Sequence, residues 1–481
     1  MFFWLDIFIL VSHIFFAFLI FLYTYTNLQW YGYRVSRVLF KHHKIHWHIL
    51  YFLLPVVVYC FAYDYFVFYL YLIYAPALLI WYFRLDKKLV FTGRIIRALL
   101  IFSTLIAGGD VVCFLLFDCG FYPVIPPLIF TVVITSLLEK TLLVKYAKLA
   151  KEKLESMPKL RIVAITGSYG KTSMKNFIAH MLQDSFRVYS TPRSVNTFAG
   201  IVADINNNLK DDVEFYIVEA GAREVGNIKE IAELINHQYA VVGRIGPQHL
   251  EYFKSIENIR KTKLELLESS RIVKAYIYKD TEVNSSVYIE KFPGELVEKR
   301  ANLEGLSFVM RLKEKHVEFS APILGRFNIE NIYLAIKIAF DMGVDIESIK
   351  KRVKTLEPIP HRLQKIESGG KLIIDDSFNG NIEGMLEGVR LASLYKGRKI
   401  IITPGLVESR DELNIQLAKE IDKVFDIAII TGSLNSKLLS SNITNTQKIV
   451  LKDKSNLQEI LKAYSKEGDL ILFANDAPNF I

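Results

Sequence analysis

Apolar positions run almost unbroken over residues 2–25, 49–83 and 98–138, and beyond Leu138 they shrink to short runs separated by polar stretches. The first run is long enough to cross a bilayer, for which about 20 apolar residues suffice. Residues 49–83 are too many for one crossing, and Asp64 divides them into two short ones. Residues 98–117 and 121–138 make two more, separated by Asp118, so five membrane-spanning helices are expected. Basic residues fall on alternate connections: Arg34, Arg37, Lys41 and Lys44, then Arg84, Lys87, Lys88, Arg94 and Arg97, then Lys140, Lys145, Lys148, Lys151 and Lys153. Positive charge stays on the cytoplasmic side, which puts the N-terminus outside and everything after Leu138 in the cytoplasm. No small-residue cleavage site follows the first run, so it reads as a retained anchor.

After Leu138 the periodicity changes. Residues 140–159 are basic and helix-compatible up to Pro158, and strand and helix signals then alternate. Residues 161–165, 214–219, 239–243 and 273–278 read as strands of a parallel sheet flanked by helices, and 306–312 with 316–320 read as an appended hairpin. The alternation pauses at Pro358-Ile359-Pro360 and restarts at Lys371, with strands expected at 371–375, 398–403, 426–431 and 469–474. The expected fold is an α-helical transmembrane N-terminal domain (1–139), a basic connector (140–158), and two α/β domains. The first of these is a P-loop-type central ATPase domain (159–360) and the second a Rossmann-like C-terminal domain (361–481).

Composition agrees with that division. Hydrophobic residues make up 51% of the chain and aromatics 13%, with a mean hydropathy of +0.25, too apolar for an ordinary soluble enzyme of 481 residues. Cys60, Cys113 and Cys119 all lie in apolar segments, so neither a disulfide framework nor a thiolate zinc site is indicated. The cluster Lys41-His42-His43-Lys44-Ile45-His46-Trp47-His48 reads as an interfacial loop facing anionic lipid head groups, with metal binding as the alternative. Asp110, beside Gly108 and Gly109, is either a structural or a functional carboxylate within a span.

The candidate chemistry centres on Thr166-Gly167-Ser168-Tyr169-Gly170-Lys171-Thr172-Ser173, between an apolar run and a helix-compatible one. Glycines let backbone N–H groups close on an anion, a helix N-terminus adds positive potential, and Lys171 supplies a mobile charge. The Thr172 hydroxyl is suited to a Mg²⁺ that accompanies a nucleoside triphosphate. Ile165 stands where the general phosphate-loop pattern has its first glycine, so the string also fits a surface glycine turn beside a lysine.

Further along lie Glu219-Ala220-Gly221-Ala222, Gly246-Pro247-Gln248-His249, Lys263 fourteen residues beyond His249, Gly325-Arg326-Phe327-Asn328-Ile329-Glu330-Asn331, Pro360-His361-Arg362 and Asp375-Asp376-Ser377-Phe378-Asn379-Gly380-Asn381. In this order and at these spacings, from about Lys159 onward, the set resembles the Mur ligases, ATP-dependent amide-bond-forming enzymes of peptidoglycan synthesis, and among them the D-alanyl-D-alanine-adding type. The resemblance implies that Gly167, Ser168, Tyr169, Gly170, Lys171, Thr172 and Ser173 bind the ATP phosphates, and that Thr172, Glu219 and His249 hold Mg²⁺. It implies a carbamate on Lys263 as a further metal ligand, Asn328 and Asn331 near adenine, and Arg362 and Asp376 reaching the nucleotide from the hinge and C-terminal domain. Lys171, His249 and Lys263 would be the catalytic set. Singly, His249 also fits a capping or core histidine, Lys263 a solvated helix lysine and Asn328 a helix cap.

The implied reaction adds D-Ala-D-Ala to a UDP-muramoyl-tripeptide through an acyl phosphate, at the inner membrane of a bacterium with the catalytic domains in the cytoplasm. Expected partners are the two substrates, membrane lipid and enzymes of lipid-precursor synthesis, and no nucleic acid. The chain departs from the resemblance in several places. Membrane spans stand where soluble members have a UDP-binding domain. Phe378 and Gly380 replace tyrosine and alanine, Thr403-Pro404-Gly405-Leu406-Val407-Glu408 differs from the usual G-D-M-x-E-L-G run, and Phe473-Ala474-Asn475-Asp476-Ala477-Pro478 lacks K-G-S. A membrane-anchored poly-γ-glutamate synthase and a non-catalytic nucleotide-binding scaffold are the alternatives.

Overall fold

The computed structural model describes residues 2–475 apart from 41, 43, 86, 114, 116–122, 248, 249, 379, 408 and 453. The chain divides into two units, residues 1–142 and Leu143–Ala477.

The first unit is helical. Among the described residues four helices, against the five spans expected, are by length and composition able to cross a membrane: Ile7–Trp30, Tyr65–Phe83, Gly93–Val112 and Ile125–Glu155, the last continuing into the second unit. A shorter apolar helix, Ile45–Phe61, precedes the second of them. The break expected at Asp64 falls at Ala62, whose φ of −131° and ψ of 44° leave the helical region. Two prolines shape this pair in the same way. A proline donates no N–H and its ring crowds the preceding turn, so the turn widens. Ile49–Leu53 ahead of Pro55 and Leu70–Tyr74 ahead of Pro76 are accordingly single turns of π-helix, closed by Leu54 N–H to Ile49 O and Ala75 N–H to Leu70 O. The last helix runs unbroken from Ile125 to Glu155. The basic stretch expected as a separate connector is therefore mostly its C-terminal half, and Ala150 and Leu154 are already part of the α/β core.

Inside the helical unit Phe16, Tyr59, Phe66 and Tyr74 interlock as edge-to-face and tilted rings. Phe61, Phe68, Leu72, Leu100, Phe130 and Leu137 point outward and are exposed, the reverse of a water-facing surface. Asp110 faces inward, with Oδ1 3.1 Å from His13 Nε2, and His13 Nδ1 lies 2.9 Å from the Tyr59 hydroxyl. In the histidine cluster, Lys44 N–H donates to His42 Nδ1, so Nε2 carries the proton given to Asn27 Oδ1 at 2.9 Å. His48 Nε2 donates to Val38 O and its Nδ1 accepts from the Tyr23 hydroxyl. The ring nitrogens of both are thus engaged within the fold rather than open to a metal; His43 lies outside the described residues. Cys113 is disulfide-bonded and Cys60 is a free thiol. The bonded state of Cys113 is not what the cysteine count led one to expect.

Among the described residues the second unit contains three sheets. β1 (Arg161–Thr166), β2 (Val188–Ser190), β3 (Phe215–Glu219), β4 (Tyr239–Val242), β5 (Lys274–Tyr278) and β6 (Ile289–Phe292) form a parallel sheet in the order β2-β3-β1-β4-β5-β6. β7 (Leu296–Asn302), β8 (Gly305–Leu312) and β9 (Lys315–Ala321) make an antiparallel sheet. β10 (Gln364–Ser368), β11 (Lys371–Asp376), β12 (Lys399–Thr403), β13 (Ile427–Thr431), β14 (Gln447–Leu451) and β15 (Leu470–Ala474) are ordered β10-β11-β15-β12-β13-β14, with only β10 antiparallel. The inner strands β1 and β3 are almost wholly buried apolar runs, as a sheet covered on both faces requires.

Candidate active site

The loop from β1 to the helix Lys171–Leu182 is built on two glycines. Gly167 has φ +152° and a Cβ there would stand 3.1 Å from the Gly243 Cα; Gly170 has φ +73° and a Cβ there would stand 2.8 Å from Asn331 Oδ1. Neither position has room for a side chain, so backbone from β4 and a side chain from a later helix close directly on the loop. Ser168 ties it down: its N–H donates to Arg244 O at 2.9 Å and its hydroxyl to Gly246 O at 3.0 Å. Lys171 curls back, its ammonium donating to Gly167 O at 2.9 Å and Ser168 O at 3.3 Å. Burial lowers its pKa and Arg362 adds to that, while Glu219 opposes it.

The acidic wall is Glu219, buried at the C-terminal end of β3. Its Oε2 accepts from the Thr172 hydroxyl at 2.8 Å and its Oε1 from Asn196 Nδ2 at 2.9 Å. Arg362 Nη2 also reaches the Thr172 hydroxyl, at 3.4 Å. A carboxylate and a hydroxyl side by side at the mouth of a phosphate loop are hard oxygen donors of the kind Mg²⁺ takes along with substrate phosphates and water. Among the described residues no three His, Cys, Asp or Glu side chains cluster as a metal cage. Lys263 is buried on the helix Ile256–Leu264. Burial, then the nearby Lys171, pulls its pKa down to about 7 against the opposing pull of Glu265 and Glu219. Glu265 itself is committed elsewhere, accepting from the N–H groups of Gly226 and Lys229 at a helix start. His249 lies outside the described residues.

The other wall comes from the helix Phe327–Asp341 and from the C-terminal α/β region. Asn328 and Asn331 are buried in its first turn; Asn328 Nδ2 donates to Leu324 O at 2.8 Å and Asn331 Nδ2 to Asn328 Oδ1 at 3.0 Å. They line one cleft with Tyr169, Gly170, Ser173, Arg244, Arg362 and Asp376. Arg362 is aimed into it by two strained neighbours, His361 at φ +62° and Leu363 at φ +46°, the sort of backbone cost found where a side chain must be directed. Its guanidinium stands 4.8 Å from the Phe378 ring centroid. Asp376 accepts from Leu363 N–H at 3.1 Å, yet burial pushes its pKa up to about 7. Asp375 is held apart from the cleft chemistry by His361 Nδ1 at 2.8 Å and the Ser377 hydroxyl at 2.6 Å. Asn379, Glu408 and residues 476–481 of the divergent runs lie outside the described residues. Gly405 of the divergent Thr403–Val407 loop has φ +75°, and Asn475 Nδ2 donates to its carbonyl at 2.8 Å.

The structure thus brings together Lys171, Thr172, Glu219, Lys263, Asn331, Arg362 and Asp376, from segments up to about two hundred residues apart. It adds Asn196, Thr191 and Arg244, which sequence reasoning missed. Arg244 pairs with Glu383 across the cleft at 2.6 Å. Asn196 lies in a short polar stretch after an edge strand, and no local signal marks it.

Residues 165–339 match the Mur ligase middle domain. The chain is similar to the UDP-N-acetylmuramoyl-tripeptide–D-alanyl-D-alanine ligase of Buchnera aphidicola, 26% identical over 63% of this chain and 70% of that one. It is likewise similar to the ligase of the same name from Bacillus subtilis, 27% identical over 68% and 75%. Among solved structures, MurF from Acinetobacter baumannii superposes with a TM-score of 0.62 at 19% identity, over 70% of this chain and 78% of that one. The MurF ligase of Thermotoga maritima in complex with ADP does so with a TM-score of 0.61 at 23% identity, over 70% and 80%. The α/β part of the chain has the Mur ligase fold.

Proposed function

We propose that this chain is a Mur ligase of the D-alanyl-D-alanine-adding type, an ATP-dependent ligase that joins D-Ala-D-Ala to UDP-N-acetylmuramoyl-tripeptide. The observation that carries the reading is the convergence of Lys171, Thr172, Glu219 and Arg362 at the mouth of a glycine loop inside a segment matching the Mur ligase middle domain.

A carboxylate is a poor electrophile, because its charge repels nucleophiles. Moving the γ-phosphoryl of ATP onto it creates an acyl phosphate that an amine can attack, releasing phosphate. Two anions must approach first, so the protein's main task is to neutralise and position them. Lys171, now resting on loop carbonyls, would exchange those for nucleotide phosphate oxygens. Thr172 and Glu219 would hold Mg²⁺, with His249 as a further ligand; Mg²⁺ supplies charge neutralisation of the phosphates when bound. Lys263, with a pKa of about 7, holds a substantial neutral-amine fraction at neutral pH, the form that adds CO₂ to give a carbamate. Asn328, Asn331, Tyr169 and Arg244 would enclose the base and ribose. Arg362 and Asp376 would reach the nucleotide from the C-terminal domain, and the closed cleft would exclude water from the acyl phosphate.

The helical unit, with its exposed apolar exterior, would hold the enzyme in the inner membrane of a bacterium as a multi-pass protein, the α/β unit being cytoplasmic. Membrane lipid is then its standing partner, and enzymes that load the product onto lipid are its neighbours. The test is incubation of detergent-solubilised protein with ATP, Mg²⁺, UDP-muramoyl-tripeptide and D-Ala-D-Ala. A product heavier by one dipeptide less one water, formed with stoichiometric phosphate release, is expected. ATP hydrolysis that ignores both acceptors would overturn the assignment.

A further inference from the structure

Lys175 lies one helical turn beyond Lys171 and is fully buried. Its ammonium donates to two backbone carbonyls, those of Thr191 and Arg193. Taking a lysine wholly out of water is costly, and a methionine of similar length would fill the space without that cost. The chemistry of those two bonds is therefore the feature to explain.

The segment they hold is short and tightly specified. Thr191 N–H pairs with Ile217 O at 3.0 Å, Val195 N–H with Pro192 O at 3.1 Å, and Arg193 sits at φ +48°, a strained value for a residue with a side chain. At its far end, Asn196 O accepts from Gly221 N–H at 2.7 Å. A Cβ on Gly221 would stand 2.8 Å from the Asn196 amide, so only glycine admits this approach. Both ends of the segment touch Glu219: the Thr191 hydroxyl accepts from its N–H at 3.2 Å, and Asn196 Nδ2 donates to its Oε1 at 2.9 Å. That amide bond leaves Oε2 as the oxygen that faces Thr172.

We propose that Lys175 is a positioning residue for the metal-binding carboxylate. By clamping the carbonyls of Thr191 and Arg193 it holds residues 191–196 against β3, so that Asn196 fixes which oxygen Glu219 presents to Mg²⁺. The inference rests on the proposed role of Thr172 and Glu219 in holding that ion.

The sign of one measurement separates positioning from simple electrostatics. Removing a nearby positive charge should by Coulomb's law alone strengthen Mg²⁺ binding. Loss of a group that orients a ligand should weaken it, typically by about 10–100-fold. ATP binding to the full chain is measured by calorimetry across a Mg²⁺ titration for wild type, K175M and N196A. Positioning predicts that K175M and N196A both need about tenfold or more additional Mg²⁺ for half-saturation, with metal-free ATP affinity little changed in N196A. A folded K175M protein with unchanged or tighter Mg²⁺ binding overturns the proposal. Should K175M fail to fold, the K175R, N196A and K175R/N196A series decides. Coupled effects support a shared path through the segment, and additive ones refute it. Binding requires no turnover, so a wild-type chain that binds Mg²⁺ and ATP but ligates nothing would sink the ligase reading and leave this test standing.

Discussion

Replacing Glu219 by glutamine tests the centre of the site with almost no change of shape. The amide oxygen can still accept from Thr172 or from Asn196, though not from both, so packing is kept while the charge and one accepted hydrogen bond are removed. Glu219 opposes the pKa depression of four cations, Lys171, Lys175, Lys263 and Arg362, so its loss leaves a cluster of like charges. Its coupling to Arg362 can be sized. The two bonds through the Thr172 hydroxyl, 2.8 and 3.4 Å, put carboxylate and guanidinium about 6 Å apart at most. At an effective dielectric of about 20 this is worth roughly 3 kcal/mol. The folded apo protein should therefore lose stability on the order of 2–3 kcal/mol, seen as a fall of several degrees in Tm. Turnover should drop by about 10²–10³, the usual effect of removing one preorganised charged group. Metal-free ATP should bind at least as well as to wild type, because the site has become more positive. Thermal melts, calorimetry without Mg²⁺ and phosphate release check the three parts. E219Q with normal turnover, or with sharply weaker metal-free ATP binding, would refute the assignment of Glu219 as the negative pole of a metal site.

K171A should fold normally and lose about 10²–10³ in kcat, because the side chain rests on loop carbonyls and carries no core packing; ligation at wild-type rate would refute the phosphate-loop role. Lys263 has a folded pKa near 7, below its ordinary value of 10.5, so the unfolded chain binds more protons across that window and stability should rise with pH from about 7 to 10.5. In CO₂-depleted buffer K263M should accordingly stabilise the protein more at pH 6 than at pH 10, read as the difference in Tm; equal gains at both would show that the burial cost is not felt. In bicarbonate, K263A should lose activity and regain part of it with added short-chain carboxylates. A chain beginning at Leu143 should fold without detergent and bind ATP with wild-type affinity, whereas one beginning after Leu154 should be destabilised, since Ala150 and Leu154 are buried in the α/β core. Equal Tm values for the two truncations would refute that packing.

The order of chemical motifs was legible in the sequence because each depends on a few residues in a row. The glycine loop and the strand-ending Glu219 were read that way, and Asn328 and Asn331 were singled out only by the resemblance that the ordered motifs carry. The interior strands were legible too, because a strand covered on both faces must be apolar throughout, and such runs stand out. All five strands that sequence reading missed, β2, β6, β7, β10 and β14, are edges of their sheets. Edge strands face water on one side and carry mixed residues such as Leu296–Asn302, so they have no apolar run to read. The continuity of Ile125–Glu155 was hidden for a related reason. Its composition changes from apolar to basic at Lys140 while the backbone hydrogen bonds continue regardless. Only the tertiary structure decided which polar residues share the site. Asn196, Arg244 and Arg362 are brought to Glu219, Glu383 and Thr172 by sheet order and by a strained turn, and contacts between residues so far apart in the chain leave no periodic trace along it.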